Sequence, residues 1–405
     1  MRLNWKKTTF MIFLILMFTN AFMITKIVKG QVNTTAFWPT NEWNVTDPSD
    51  LDMNNATIYE MYEYIETNTL NIHSISIVRN GFLIHEEYLS GFTLRAEKSY
   101  GPEPDFYGIK VVINGSLHVQ FSSTKTIIAL LIGIAIDKGY VDNVSQTFSS
   151  FFPTLTYSTP SKEDISIEHL LTMTSGIYGD NDPEFNYNQT IQEILNPALY
   201  STPGTAFRYS SASTHLLSAI VNKSTSQKTS DFAEEYLFDP IGISREDWYW
   251  QENGENVIFG GYGLYFTPQA MSRIGLLMLN NGMWNGTQVI SKNWMLEIGT
   301  PHPNAYYGYL VWMDLYAYHT AGLLGQCIFL IPAHNLTIVF TAAIPSDANT
   351  EYLYIIEHFI LAAIGNPAPP NPVIPGYSLV VLLPLMILGV RFISKKIKNK
   401  YSFIY

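Results

Sequence analysis

The order of predicted elements indicates an α+β fold, an α/β sandwich in which an antiparallel sheet is flanked by helices beside a helical lobe. Strands come early in the chain, helices fill the middle, and strands return late with a closing helix. A single sheet built from both ends of one domain accounts for this order most simply. The length of 405 residues suits one large domain or two moderate ones.

The first elements are predicted from periodicity and turn chemistry. Residues 55–67 predict a helix, because their apolar side chains recur at positions i, i+3, i+4 and i+7. Residues 74–79 and 82–88 predict the two strands of a hairpin. Between them lies Asn80-Gly81, the dipeptide that favours a type I′ turn.

The middle and the end of the chain continue this pattern. Buried or amphipathic helices are predicted at residues 126–136, before the glycine at 176, and at 216–221, 231–238 and 271–278. Late strands are predicted at residues 309–313, 326–331 and 336–342, with a closing helix at 351–364. The sole cysteine, Cys327, lies in an apolar strand, which excludes an intramolecular disulfide and predicts a buried structural thiol.

Both ends of the chain differ from the middle. Residues 1–30 pair a basic start with an apolar stretch, which is typical of a signal peptide or an N-terminal anchor. At the other end, a proline-rich linker at 366–376 precedes an apolar segment at 377–394, predicted to be a transmembrane helix. A basic tail at 395–405 follows and predicts a cytosolic end. Residues 31–365 are therefore the predicted functional domain.

The distribution of charged residues and the glycosylation sequons predict that this domain lies outside the cell membrane. All 34 acidic residues lie between the two ends, whereas ten of the 23 basic residues lie in 1–30 and 391–405. Such an acidic surface argues against nucleic acid as a partner. Nine N-x-S/T sequons also lie there, a number that fits an extracellular glycoprotein. They begin at Asn33, Asn44, Asn55, Asn114, Asn143, Asn188, Asn222, Asn285 and Asn335.

The strongest chemical signal is Ser122-Ser123-Thr124-Lys125 at the head of the apolar helix. Residues three apart share a helix face, so the Ser122 hydroxyl and the Lys125 amine can meet. Burial and the positive end of the helix dipole both favour a neutral amine, which can take the serine proton. The backbone N–H of Ser122 is a free donor of the first turn and can serve an oxyanion. The alternative is a helix-capping serine followed by an ordinary lysine.

Two further segments accompany this pair in the chain. Tyr209-Ser210-Ser211 precedes a buried helix, and Thr320-Ala321-Gly322 precedes a late strand. In this order the three segments resemble those of the penicillin-recognising serine hydrolases, a β-lactamase/transpeptidase-like fold. The resemblance is greatest to the class C β-lactamase-like branch, which includes esterases and 6-aminohexanoate-oligomer hydrolases. It covers residues 55–364.

The resemblance implies a separate catalytic role for each of the site residues. Ser122 is then the nucleophile, Lys125 the general base, and Tyr209 the group that shuttles the proton to the leaving group. The oxyanion hole is then formed by the backbone N–H groups of Ser122 and Leu323. No cofactor and no metal are predicted for this site.

Two departures from the family pattern affect substrate binding. Ser211 stands where the family often has the asparagine that binds an amide carbonyl, and Thr320 stands where it often has lysine or histidine. The difference at Ser211 argues against recognition of β-lactams, and His319 lies one residue before Thr320. Ser211, His319 and Gly322 are the predicted substrate-binding residues.

The sequence therefore predicts a cell-surface serine hydrolase that cleaves an ester, amide or cyclic amide. Its predicted partners are a small-molecule or short peptide substrate and the membrane that holds its C-terminal helix. Two alternatives stay open: a non-catalytic extracellular binding or sensor protein on the same fold, and a D-Ala-D-Ala carboxypeptidase. Glu168-His169 lacks a third ligand at helical spacing, which favours a structural role over a metal site.

Overall fold

A computed structural model describes residues 38–39, 42–92, 109–111, 116–186, 188–314, 317–344 and 348–365. Its strands are β1 (Ile72–Arg79), β2 (Phe82–Tyr88), β3 (Ser90–Phe92), β4 (Ile109–Val111), β5 (His118–Val119), β6 (Trp248–Trp250), β7 (Leu264–Phe266), β8 (Met283–Trp284), β9 (Thr287–Gln288), β10 (Trp312–Met313), β11 (Tyr318–His319), β12 (Cys327–Ile331) and β13 (Leu336–Ala342).

The α-helices of the same residues are α1 (Asn55–Thr67), α2 (Thr124–Asp137), α3 (Phe148–Phe151), α4 (Ile167–Leu171), α5 (Ile191–Leu195), α6 (Ser211–Thr225), α7 (Thr229–Ala233), α8 (Pro268–Leu279), α9 (Lys292–Ile298) and α10 (Ala348–Ile355). Two π-helical segments extend α7 and α10, at Glu234–Phe238 and Ile356–Leu361. Short 3₁₀ turns lie at Pro48–Leu51, Phe121–Ser123, Pro160–Lys162, Asp239–Ile241, Arg245–Asp247 and Pro332–His334.

The main sheet has six strands in the order β10-β11-β12-β13-β1-β2, and all its pairs are antiparallel. Its two halves come from opposite ends of the described domain, because the early β1 pairs directly with the late β13. The register places Ile75 opposite Phe340 and Ile77 opposite Ile338. The predicted antiparallel sheet built from both ends of the domain is therefore confirmed.

The predicted hairpin between β1 and β2 is also confirmed. Asn80 and Gly81 adopt φ values of 53° and 84°, the left-handed conformation that a type I′ turn requires at both central residues. α1 begins where predicted, because the Asn54 side chain accepts a hydrogen bond from the backbone N–H of Ala56 and caps the helix.

Each face of the sheet is covered by helices. On one face, α1 and the α10 region pack against β1, β12 and β13, and Phe340 stacks on Tyr352 with ring centroids 4.1 Å apart. On the other face, α8 packs against β1, β12 and β13. Its buried residues belong to a larger hydrophobic core that also includes residues of α2, α4 and α6. The second core is the predicted helical lobe. The apolar α2 is buried through it from Thr124 to Ala135.

One predicted strand is shorter than expected. Residues 309–311 do not belong to β10, because Leu310 adopts a φ of 58° that breaks the extended chain. Thr126 of α2 donates a hydrogen bond to the Leu310 carbonyl at 2.8 Å. A tertiary contact with the helical lobe thus replaces strand pairing at a segment whose apolar sequence predicted a strand.

No helix among the described residues is long and apolar enough to span a membrane. The predicted N-terminal segment at 1–30, the linker at 366–376, the helix at 377–394 and the tail at 395–405 lie outside the described residues. Those four predictions stay predictions.

We expect Gly133→Ala in α2 to destabilise the protein, although alanine is the better helix former by about 1 kcal/mol. A Cβ at Gly133 would lie 2.1 Å from Cδ1 of Trp294, whose indole N–H donates to the Ala129 carbonyl at 2.9 Å. Displacing the buried ring costs about 1–3 kcal/mol from overpacking and about 1 kcal/mol from the hydrogen bond. Denaturant unfolding should show a net loss of roughly 1–3 kcal/mol. In a Trp294→Leu background the same change should cost less, and an equal cost would contradict the steric explanation.

Candidate active site

Ser122 lies in a 3₁₀ turn, Phe121–Ser123, immediately before α2. The turn is tied to the three-stranded sheet β5-β7-β6, because the backbone N–H of Gln120 donates to the Leu264 carbonyl at 2.7 Å. Phe121 adopts a φ of 45°, a conformation unusual for a bulky residue and frequent at functional sites. Ser122 itself is half-buried.

Lys125 is 1% exposed and meets Ser122 as predicted. Its Nζ lies 3.0 Å from Ser122 Oγ, 2.8 Å from Ser211 Oγ and 2.8 Å from the Gly261 carbonyl oxygen. All three partners are oxygen atoms that can accept a hydrogen bond, and none is a carboxylate. Hydroxyl and carbonyl oxygens thus surround the buried Lys125 amine.

Tyr209 lies beside this pair. Lys125 Nζ is 4.7 Å from the centroid of the Tyr209 ring. The ring stacks on Trp312 at 5.8 Å and meets the edge of Tyr307 at 6.3 Å. The adjacent Ser210 caps α6, since its Oγ accepts from the backbone N–H of Ser213. The structure thus brings Ser122, Lys125 and Tyr209 into one cluster.

The third segment also reaches the nucleophile turn. A Cβ at Gly322 would lie 2.3 Å from the Gln120 carbonyl oxygen, so only glycine permits this approach of the two backbones. Ser123 Oγ donates to the Gln326 carbonyl at 2.7 Å and lies 3.0 Å from Thr320 Oγ1. Leu323, the residue after Gly322, is 54% exposed.

His319 occupies a different environment from the other predicted substrate-binding residues. It is 4% exposed, stacks on Phe329 at 4.7 Å, and places Nδ1 3.3 Å from Asp314 Oδ2. These contacts bury the His319 ring against the neighbouring strand β12. Its predicted role in substrate binding stays a prediction, and its packing favours a structural role.

Two site residues were not predicted from the sequence. Asp180 accepts hydrogen bonds from the backbone N–H of Ser211 at 2.5 Å and from Ser211 Oγ at 2.6 Å. Gly261 supplies the carbonyl that Lys125 contacts, and a Cβ there would lie 2.6 Å from Ser211 Cβ. The Gly260-Gly261 pair was a visible sign of a close backbone approach. The sequence around Asp180 contains no signal that predicts its contact with Ser211.

His169 takes the structural role predicted for it. Its Nδ1 accepts from the backbone N–H of Ser166, while its own backbone N–H donates to Ser166 Oγ, so the two residues cap α4 reciprocally. Among the residues that the structure describes, no group of three or more His, Cys, Asp or Glu side chains could hold a metal ion.

We expect stability to fall as pH drops from about 6.5 to about 4, in part because of His215 on α6. Burial lowers the pKa of His215 to about 4, and its Nε2 lies 3.2 Å from Asn253 Nδ2. The unfolded chain then binds a proton that the folded protein does not, so stability is present above pH 6.5 and is lost on acidification. The complete loss is roughly 3 kcal/mol.

Denaturant unfolding at pH 7 and pH 4.5 measures this effect. His215→Gln should reduce the difference in unfolding free energy between the two pH values. The same substitution at the exposed His358 is the matched control. An unchanged pH dependence in His215→Gln would contradict the assignment.

Comparison with known proteins identifies the family. A family model described as Beta-lactamase matches residues 100–356. None of the curated proteins matches the sequence significantly. Similar solved structures include one assigned as a 6-aminohexanoate-dimer hydrolase from Bacillus anthracis, with a TM-score of 0.60, 18% identity, and coverage of 82% of this chain and 88% of that one.

Two others show the same fold. A penicillin binding protein from Bacillus halodurans has a TM-score of 0.57 and 19% identity, with 73% of this chain and 98% of that chain covered. A family VIII carboxylesterase has a TM-score of 0.59 and 13% identity, with 76% and 96% covered. The family-model match spans more than half of the sequence, and the chain belongs to the beta-lactamase family.

Proposed function

We propose that the protein is a serine hydrolase that forms an acyl-enzyme on Ser122. The observation that carries this proposal is the 3.0 Å contact between Ser122 Oγ and Nζ of the buried Lys125. A serine hydroxyl needs an adjacent base to become a nucleophile, and the lysine is the group placed to serve.

In the proposed reaction, Ser122 Oγ attacks the carbonyl carbon of the substrate while neutral Lys125 takes the hydroxyl proton. The developing oxyanion accepts hydrogen bonds from the backbone N–H groups of Ser122 and Leu323. Tyr209 relays the proton from the Lys125 ammonium to the leaving group, which departs as an alcohol or amine. Water then attacks the acyl-enzyme by the reverse sequence and releases the acid.

The proposed substrates are esters or amides without a carboxylate next to the scissile bond. A β-lactam or a peptide carboxy-terminus presents such a carboxylate, which a protein usually pairs with a cation. The hydroxyl oxygen of Thr320, at the family's lysine position, instead accepts from the backbone N–H of Ile328. Arg208, next to Tyr209, already forms an ion pair with Asp182. Both features disfavour anionic substrates.

Turnover of matched substrates by the full-length protein tests this proposal. We expect hydrolysis of neutral p-nitrophenyl esters or anilides at rates far above those for nitrocefin or for a peptide ending in D-Ala-D-Ala. Preference for the D-Ala-D-Ala peptide would instead support the carboxypeptidase alternative. Absence of turnover and of covalent labelling by a fluorophosphonate would support a non-catalytic binding protein.

We also propose that the domain faces the outside of the cell. The basic ends and the acidic middle support this orientation. None of the sequon asparagines among the described residues is buried, which is compatible with glycosylation: Asn44, Asn143, Asn188 and Asn285 are exposed, and Asn55, Asn222 and Asn335 are partly exposed. Protease added to intact cells should digest residues 31–365 of the full-length protein. Protection of that segment until the cells are lysed would contradict the proposed topology.

A further inference from the structure

We propose that Asp180 is a positioning residue that aims the lone pair of Lys125 at Ser122, acting through Ser211. The inference rests on the proposed function and adds a residue outside the three predicted segments. Asp180 contacts neither Lys125 nor Ser122 through its described hydrogen bonds. Its carboxylate instead binds both the backbone N–H and the hydroxyl of Ser211, at 2.5 and 2.6 Å.

The Ser211 hydroxyl has a defined direction. A carboxylate can only accept, so the single Ser211 hydroxyl hydrogen is committed to Asp180. The Ser211 oxygen must then act as an acceptor toward Lys125 Nζ, 2.8 Å away. Ser211 is 5% exposed, which leaves little access for water to change this arrangement.

The hydrogens of a neutral Lys125 amine are then also assigned. A neutral amine has two N–H donors and one lone pair. One donor meets Ser211 Oγ and the other meets the Gly261 carbonyl, which also can only accept, at 2.8 Å. The lone pair is left facing the third neighbour, Ser122 Oγ, at 3.0 Å. After Lys125 takes the Ser122 proton, its three N–H groups face three acceptors.

Without the Asp180 carboxylate this order is lost. In Asp180→Asn the amide can keep its oxygen on the Ser211 backbone N–H and turn its NH₂ toward Ser211 Oγ. That hydroxyl would then accept from the amide and point its own hydrogen at Lys125, where it would occupy the lone pair. The base would be present but wrongly oriented, as when an orienting carboxylate is replaced by its amide in other hydrolases.

A purely structural role for Asp180 is the competing explanation, because the Ser211 backbone N–H lies at the start of α6. The two explanations differ in what they change. Loss of a helix-terminal hydrogen bond lowers the melting temperature. Loss of orientation lowers the acylation rate at saturating substrate while substrate affinity is kept. Ser210→Ala is the matched control. It removes the side chain that caps α6, and the Ser210 hydroxyl is not among the described hydrogen-bond partners of Lys125.

The test is the rate of the p-nitrophenol burst when the full-length protein is mixed with a p-nitrophenyl ester. Asp180→Asn should lower the maximal burst rate roughly 10- to 100-fold, with the half-saturating ester concentration within about threefold of wild type. Ser210→Ala should lower the melting temperature but keep the burst rate within about threefold. In a Ser211→Ala background, Asp180→Asn should have little further effect, because the two changes break one chain of contacts.

Each outcome decides a separate point. A wild-type burst that Asp180→Asn leaves unchanged overturns the inference alone. Equal rate losses from Asp180→Asn with and without Ser211 overturn the route through that serine. Equal rate losses in Asp180→Asn and Ser210→Ala show that capping explains the effect and also overturn it. A wild-type protein that gives neither a burst nor a fluorophosphonate adduct overturns the proposed function itself.

Discussion

Replacing Ser122 by alanine should lower turnover of the best ester or amide substrate by at least about 10⁴-fold, as removal of a nucleophile does in other serine hydrolases. The substitution removes only the oxygen that contacts Lys125 at 3.0 Å. Ser122 is half-buried in a surface turn, so stability should change little. The measurement is the ratio of kcat/KM between the variant and the wild-type protein.

Ser123→Ala is the matched control for this prediction. Ser123 is 4% exposed, and its hydroxyl donates to the Gln326 carbonyl. The Ser123 hydroxyl hydrogen is therefore already used in a structural hydrogen bond. Its removal should cost about 1 kcal/mol of stability and leave most of the activity. If Ser123→Ala lost activity as Ser122→Ala does while staying folded, the nucleophile would be wrongly assigned.

Lys125→Arg should reduce turnover by at least roughly 100-fold, the low end of what a general base contributes. Arginine keeps the positive charge but does not give up its proton in proteins. Its larger head group must also enter a space bounded by Ser122, Ser211 and Gly261. The rate should therefore fall even though the charge is unchanged.

Loss of folding must be separated from loss of chemistry at this buried position. Lys125→Met provides a second variant of similar length that leaves no buried charge, and melting temperatures identify the variant that stays folded. A folded variant of either kind with near-normal turnover would remove Lys125 from the mechanism. We expect both to lose acylation by ester substrates.

Local chemistry explains why much of the fold was predictable. Asn80-Gly81 fixes its hairpin through backbone conformations that these two residues adopt readily. The apolar stretch after Ser122 could only be buried, and the i, i+3 spacing to Lys125 is a property of helices. The antiparallel sheet followed from strands at both ends of one domain.

The parts that were missed depend on contacts distant in sequence. Asp180 meets Ser211 across 31 positions, and Gly261 meets Lys125 across 136. The Gly260-Gly261 pair indicates a close backbone approach, but no periodicity or turn signal indicates which distant residue is approached. Leu310 shows the same limit, since Thr126 of α2 holds its carbonyl and prevents strand pairing.

Mass analysis of a trapped adduct tests the central claim most directly. Full-length protein is reacted with a fluorophosphonate, digested, and mapped by tandem mass spectrometry. The site geometry predicts one added mass, located on Ser122 in the peptide that contains Lys125. An adduct on Ser123 or on any other residue would contradict the assignment of the nucleophile, and an unmodified protein would contradict acyl-enzyme catalysis.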